Sequence, residues 1–340
     1  MNPSEPGVSV VICCHNAAQR LPVTMEHLSK QVVPDGIAWE VLVVDNGSTD
    51  GTAEVALQAW TGDPQKLRVV PESRPGLIYA RIKGFQTSRY EFVSFVDDDN
   101  WVCRNWVHTV YDVMTASPQT GVCCGFNEAH CEIPAPGWFS TCCGAYAVST
   151  VDTEFGDITN SAQLPFGAGM TIRRGTWDFL AARGFEFILT GRLGNRIVSG
   201  EDWELCTAIR QAGWRLWREP ALKLVHFMEA RRLTWAYCRK LYRAGGASYV
   251  GHDIYRIAME PKPANLLGRL RETWQWQLWY VFQQLLAAPR RLWNAIVSSR
   301  EGDPDVLWLE SRLGRISMLL GWRSEFRRNV RRVRAAQWRR

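Results

Sequence analysis

The chain has 340 residues, 46% of them hydrophobic and 22% charged, with a formal net charge of +6. That is the composition of an ordinary globular protein of one large or two smaller domains. No run of about 18 apolar residues excludes itself from water, so no membrane-spanning helix is expected, and no basic region precedes the first apolar run, so it does not read as a signal peptide. Ten cysteines, several in adjacent pairs and none in C-x-x-C spacing, suggest reduced, mostly buried thiols rather than a disulfide framework or zinc ribbon. The net charge conceals a division. Residues 1–230 carry 18 Lys and Arg against 26 Asp and Glu, whereas 231–340 carry 22 against 8 and hold eight of the 17 tryptophans. Such asymmetry suggests two jobs.

In chain order, "VSVVIC" (8–13) reads as a buried strand followed by a helix through "LPVTMEHLSKQ" (21–31). "WEVLVVD" (39–45), "LRVVPE" (67–72) and "FVSFVD" (92–97) are further strands, with helices over "TAEVALQAW" and "GLIYARIKGFQTS" between them. This rhythm predicts a mostly parallel α/β sheet with helices on both faces. Ligands of such sheets bind outside the carboxyl ends of the strands, so the acidic turns at Asp45 and Asp97 should face one crevice. The second of them is "VDDDN", where Asp97, Asp98 and Asp99 crowd like charge at a strand end. A divalent cation among them would offset the repulsion; a solvated acidic turn is the plainer alternative.

The middle is less regular. "GVCCGFNEAH" and "WFSTCCGAYAV" look like broken strands, and "LPFGAGMTIRR" approaches a strand before a helix through "GTWDFLAARG". "FILTGRLGNRIVSGED" (187–202) is a polar loop long enough for an active-site cover. "EDWELCTAIRQAG" (201–213) is a helix with acids in its first turn, and "WRLWREPALKLVHF" ends in strand-like segments near His226. Beyond 230 the pattern is helical and amphipathic, with Trp and Arg mixed over 265–299 and an arginine-rich tail.

Residues 8–230 resemble a family 2 glycosyltransferase of the GT-A fold. Six segments fall in that family's order: "VSVVICCHNAAQRL", "VVDNGSTDGT", "ESRPGLIYARIKGF", "FVDDDN", "GAGMTIRR" and "GEDWELCTAIRQAGWRLWREPALKLVH". The resemblance implies a GT-A, Rossmann-like catalytic domain over 1–230, with 231–340 as a C-terminal helical extension. It also implies an inverting transfer of sugar from a nucleotide-diphosphate donor to a saccharide or lipid-linked saccharide, in surface polysaccharide biosynthesis. A catalytically silent, sugar-nucleotide-binding or scaffolding relative at the membrane is the alternative.

Carried residue by residue, the resemblance makes Asp99 a ligand of a divalent cation (Mn²⁺ or Mg²⁺), with His226 completing the metal site. Asp97 would contact the ribose or the metal shell. Asp45 would hydrogen-bond the base, unless it merely forms its Asn-Gly turn. Gly76 would allow close approach of backbone to donor, and Arg81 would lie near the diphosphate, unless it is a surface residue and Lys83 serves instead. Asn16 retains the last position of a family motif that is otherwise altered to Cys13-Cys14-His15. Asp202, the second acid of "GEDWE", would be the catalytic base, its place at a helix start favouring the ionised form. A double-displacement route would need a carboxylate nucleophile for which the sequence offers no candidate. Donor and acceptor choice would lie in 121–200 and the first loop.

The basic, Trp-rich extension suits an anionic membrane surface, which would place the protein peripherally on the cytoplasmic face of the cell membrane. The competing uses are packing on the catalytic domain and forming a homo-oligomer. Nucleic acid would attract the same charge but no nucleic-acid module is recognisable. Arg231 or Arg232, just after His226, could also reach the diphosphate.

Overall fold

The computed structural model describes residues 5–189, 199–262 and 265–339. The first half alternates strand and helix: β1 (Glu5–Cys14), α1 (Leu21–Ser29), β2 (Trp39–Asp45), α2 (Thr52–Ala59), β3 (Leu67–Pro71), α3 (Leu77–Thr87) and β4 (Tyr90–Val96). All pairings among these four strands are parallel, in the order β3-β2-β1-β4. The strands read as unbroken apolar runs because both of their faces are covered. Val8, Val10 and Ile12 of β1 pack with Leu21, Met25 and Leu28 of α1, while Val11 between them points into the opposite core with Ala80 and Phe85 of α3.

The second half is mixed: β5 (Asn100–Val102), α4 (Trp106–Ala116), β6 (Thr120–Cys131), α5 (Phe139–Cys142), β7 (Gly156–Asp157), β8 (Met170–Arg173), α6 (Arg174–Ala182), α7 (Glu201–Gln211) and β9 (Arg215–Met228). β8 joins β4 and β6 antiparallel, β6 and β9 run parallel, and β5 lies antiparallel on β9. The expected α/β sheet therefore holds, with its parallel character concentrated at the N-terminal side. Pro220 is tolerated within β9 because the β6 register shifts there, between Cys124 and Phe126. "WFSTCCGAYAV" is not a strand: it forms α5 and a 3₁₀ turn over Cys143–Tyr146. Its apolar residues, Trp138, Phe139 and Tyr146, recur at helical rather than alternating spacing and pack against Leu233 and Cys238.

The C-terminal part comprises α8 (Trp235–Met259), α9 (Leu266–Arg271), α10 (Trp274–Leu286), α11 (Pro289–Val297), α12 (Pro304–Gly321) and α13 (Phe326–Arg334). The amphipathic stretch 265–299 is divided into three helices, where Thr273 caps α10 and Pro289 begins α11. These helices do not stand apart from the sheet. Val250, Ile254, Val281, Leu319 and Phe326 share one core with Met170, Leu205 and Ile209. α8 and α12 cross in close contact through Gly246 and Gly314: a Cβ on either would fall inside contact distance of the other helix's backbone, at the carbonyl oxygens of Ser311 and Arg243. All ten cysteines are free, and burial pushes the thiols of Cys14, Cys123 and Cys206 well above their usual range, as expected of inert core residues.

Candidate active site

A cleft of about 1740 Å³ opens at the carboxyl ends of β1, β4 and β9 and extends along α8 and α12. Its first wall is a set of loops tied to one another. Asn16 takes a left-handed conformation (φ 50°); its side chain accepts from Thr49 N at 2.9 Å and its own N–H donates to Ser48 Oγ at 3.0 Å. Asn46 is the hub that sequence reasoning missed. Its amide donates to the carbonyls of Glu72 and Arg74 and accepts from Gly76 N at 2.8 Å, while its own carbonyl meets His15 Nδ1 at 2.9 Å. The only signal was its place in an Asp-Asn-Gly turn. Gly76, at φ 129°, leads straight into α3, and it lines the cleft together with Leu77 at that helix start. Asp45 accepts from Ser48 N at 3.1 Å, as a turn-forming residue does; the cleft is lined by Asn46 next to it and not by Asp45 itself.

The acidic turn separates its three carboxylates. Asp98 points back to α1, where Arg20 holds it through two bonds of 3.1 and 2.9 Å. Burial pushes its carboxyl up to about 6 against the pull of those Arg20 bonds, with the Asp99 and Asp97 charges adding to the rise. Asp97 lines the cleft, and among the described residues its carboxylate makes no hydrogen bond or ion pair. Asp99 is buried and meets two partners from the end of β9: His226 Nε2 lies 3.4 Å from Oδ1, and Arg232 Nη1 lies 2.8 Å from Oδ2. The predicted metal pair, Asp99 and His226, is thus brought together by the β5–β9 register, which sets Asn100 opposite His226. Of the two adjacent arginines, Arg232 is the one drawn inward; Arg231 pairs with Glu229 at the surface.

Asp202 stands in the first turn of α7, after Gly200 at φ 103°. Its Oδ2 accepts from Gly167 N at 2.8 Å and its Oδ1 from Trp203 N at 2.7 Å, leaving lone pairs on both oxygens. Arg81 is buried across Gly167, where a Cβ would collide with its guanidinium, and it pairs with Glu201 at 3.3 Å. Asp97 and Asp202 lie near enough to act on its charge. Deeper in α7, Glu204 accepts from Ile188 N, Leu189 N and Tyr255 Oη, which ties α7 to α8. Burial pushes its carboxyl up to about 7 despite those bonds. Residues 190–198, most of the expected cover loop, lie outside the described residues. No group of three or more potential metal ligands is assembled among the described residues.

The family model for glycosyl transferase family 2 matches residues 9–141. The chain is 26% identical over 262 residues to the provisionally named teichuronic acid biosynthesis glycosyltransferase TuaG of Bacillus subtilis (strain 168), covering 68% of this chain and 94% of that protein. For several other curated relatives, the chain spans only about a third of their length (31%, 35% and 34%). In fold it is similar to the mannosyltransferase PcManGT from Pyrobaculum calidifontis, solved with GDP-Man and Mn²⁺, at a TM-score of 0.54 and 18% identity over 97% of this chain and 86% of that one. It is also similar to S. aureus TarS 1–349, at a TM-score of 0.50 and 14% identity over 96% of this chain and 90% of that one.

Proposed function

The chain belongs to glycosyltransferase family 2 with the GT-A fold, and we propose that it is an inverting enzyme acting on a nucleotide-diphosphate sugar, with residues 1–230 as its catalytic domain and 231–340 as a helical extension. The observation that carries this reading is the convergence of Asp97, Asp99, His226, Gly76 and Asp202 on one cleft from four separate segments.

In this reading the donor's diphosphate lies against Gly76 and the amino end of α3, where free N–H groups favour an anion. The donor set suits a divalent cation: Asp97 offers a carboxylate unused by the described protein groups, and Asp99 and His226, which share the Arg232 guanidinium, would be the further ligands. When bound there, Mn²⁺ or Mg²⁺ neutralises charge on the departing nucleotide diphosphate. Arg232, held on the other oxygen of Asp99, adds a fixed positive charge at the same end. Arg81 keeps the neighbouring acids Glu201, Asp97 and Asp202 in one constellation. Asp202 accepts the proton of the acceptor hydroxyl as its oxygen attacks the anomeric carbon from the face opposite the leaving group. Its two backbone hydrogen bonds fix the orientation of the carboxylate.

The acceptor in this reading is a saccharide or lipid-linked saccharide of a surface polysaccharide, the class of product for which TuaG is named. Trp279, Phe282 and Leu286 of α10 and Trp293, Ile296 and Val297 of α11 are exposed together beside Arg290 and Arg291. That surface suits peripheral attachment to anionic lipid on the cytoplasmic side. No helix among the described residues is long and apolar enough to cross a membrane.

Thermal unfolding with UDP, GDP, dTDP or CMP, each with Mn²⁺, Mg²⁺ or EDTA, tests the donor assignment, because a ligand of the folded state raises the melting temperature. A metal-dependent rise with one nucleotide is expected. No rise with any of them would favour the catalytically silent alternative.

A further inference from the structure

The cleft is polarised. Its sheet end presents Asp97, Asp98, Asp99, Glu201, Asp202 and Glu229, while no carboxylate of α8 or α12 reaches its lining. The helical end is built from two stripes at helical spacing. Tyr237, Lys240, Gly245, Tyr249 and His252 come from α8; Leu307, Trp308, Ser311, Arg312 and Arg315 come from α12. Because the two helices meet glycine to backbone at Gly246 and Gly314, the stripes stand side by side.

Two cations of this wall have no carboxylate partner among the described residues. Lys240 is exposed and has no ion pair or hydrogen bond among the described residues. Arg312 is half-buried and lies 4.9 Å from the Trp308 ring; its polar contacts amount to a 3.5 Å approach to the Trp308 carbonyl, and its Nε is buried without a partner. By contrast Arg315 is committed to Asp253, and Arg239 and Arg243 to Glu310. Burial and the nearby Arg291 and Arg315 charges hold the Arg312 guanidinium below the usual arginine range, a cost that a bound anion would relieve. His252, stacked on Trp203 at 3.6 Å, is pushed down to about 4 by burial and the Arg315 charge, so it offers a neutral ring.

From this juxtaposition we infer that the α8–α12 wall is an acceptor subsite selective for an anionic saccharide, with Lys240 and Arg312 binding its carboxylate or phosphate and Tyr249 packing against its sugar rings. The inference rests on the donor lying at the acidic end, as proposed above, and deepens that reading by naming the charge of the acceptor. The geometry suits it: unpaired guanidinium and ammonium groups in a partly dry cleft form strong charge-assisted hydrogen bonds with acid oxygens, and aromatic faces supply apolar area without asking for a charge.

The test titrates the full chain, saturated with its stabilising nucleotide and Mn²⁺, with glucuronic acid, glucose 1-phosphate, a prenyl-diphosphate-linked sugar in micelles, and uncharged methyl glucoside, followed by calorimetry or ligand-observed NMR. At least one anionic probe should bind about tenfold more tightly than methyl glucoside at low salt, and the Lys240→Gln/Arg312→Gln double variant should lose about that factor for it alone. The charge-keeping Lys240→Arg/Arg312→Lys variant should retain most of the preference. Which probe wins distinguishes a carboxylate, a phosphomonoester and a lipid-linked diphosphate. Equal binding of charged and neutral probes by the wild type, or unchanged anion affinity in the double glutamine variant, would overturn the inference. Nucleotide affinity is titrated separately: a wild type that bound no nucleotide yet kept the charge-dependent preference would sink the donor reading while leaving the cationic subsite standing.

Discussion

The two walls of the cleft are made by different means. On the sheet wall, the functional side chains stand on strand ends, a helix start and the loops between them, and hydrogen bonds between those segments set their directions: Asn46 to Gly76, Asp202 to Gly167, Asp98 to Arg20. On the helical wall, Arg312 and Lys240 meet in one cleft because two glycine-faced helices pack without intervening side chains. The first wall is tied together by hydrogen bonds and charge pairs, whereas the second depends on helix packing and leaves Lys240 and Arg312 without a carboxylate partner among the described residues. Chemistry that needs fixed carboxylates is thus expected on the sheet side, and recognition of a variable partner on the helical side.

The largest effect that would sharpen this contrast is loss of the base. Asp202→Asn keeps an acceptor for the Gly167 N–H and should lower turnover by roughly 10²–10⁴-fold, with nucleotide affinity nearly unchanged in a binding titration. Turnover close to wild type would remove Asp202 from the mechanism. Arg232→Gln comes next. Taking one member from a buried ion pair costs on the order of 3–5 kcal/mol, so denaturation midpoints in EDTA should fall clearly. The fall should be smaller in Mn²⁺ if a cation can neutralise Asp99 in its place; equal losses in both buffers would count against the Asp99–His226 metal site.

Gly246→Ala attacks the helical wall instead. Forcing a methyl group against the Ser311 carbonyl should cost about 1–3 kcal/mol of stability, seen in urea unfolding, while nucleotide binding at the sheet wall survives. Loss of both together would show that the walls are not separable. Glu204, which links them, gives a smaller and pH-dependent signal. Its carboxyl stands at about 7 in the fold against an ordinary value of 4.5, so between those values the native state binds more protons than the unfolded one and stability declines as pH rises. The stability of the wild type relative to Glu204→Gln should therefore be highest below pH 4.5 and fall until about pH 7. A difference that rose with pH would refute the assignment. Smallest is the surface test: Trp293→Ser with Ile296→Ser should weaken flotation with anionic vesicles and leave vesicle-free nucleotide binding alone. Those side chains are 66% and 64% exposed, so the fold should not notice their loss. Removing 260–340 altogether would be a poor probe, since Val281, Leu319 and Phe326 belong to the shared core.

Some of this was legible in the sequence because it depends on short-range physics. β-branched runs such as "WEVLVVD" can only be strands buried on both faces, and the acids that end them mark the ligand-binding edge whatever the rest of the chain does. Asp97 lines the cleft for that reason; Asp99, Gly76, Arg81, Asp202, His226 and Asn16 line it too, at positions that the family resemblance implied. Asp45 shows the limit: a strand-end acid beside Asn-Gly satisfies its own turn, and only tertiary structure decides that Asn46 lines the cleft in its stead. Arg232 could not be told from Arg231 by sequence, since the two are adjacent and identical; the short 3₁₀ turn after β9 turns one towards Asp99 and the other towards solvent. The segment 265–299 carried the right amphipathic signal, but periodicity is blind to what a helix packs against. The composition of the last 110 residues determined that they would be helical, cationic and aromatic. That α8 and α12 press together at Gly246 and Gly314, join the sheet's own core and wall the cleft was decided by long-range packing, because close approach of two helices depends on the partner backbone as much as on the glycine that permits it.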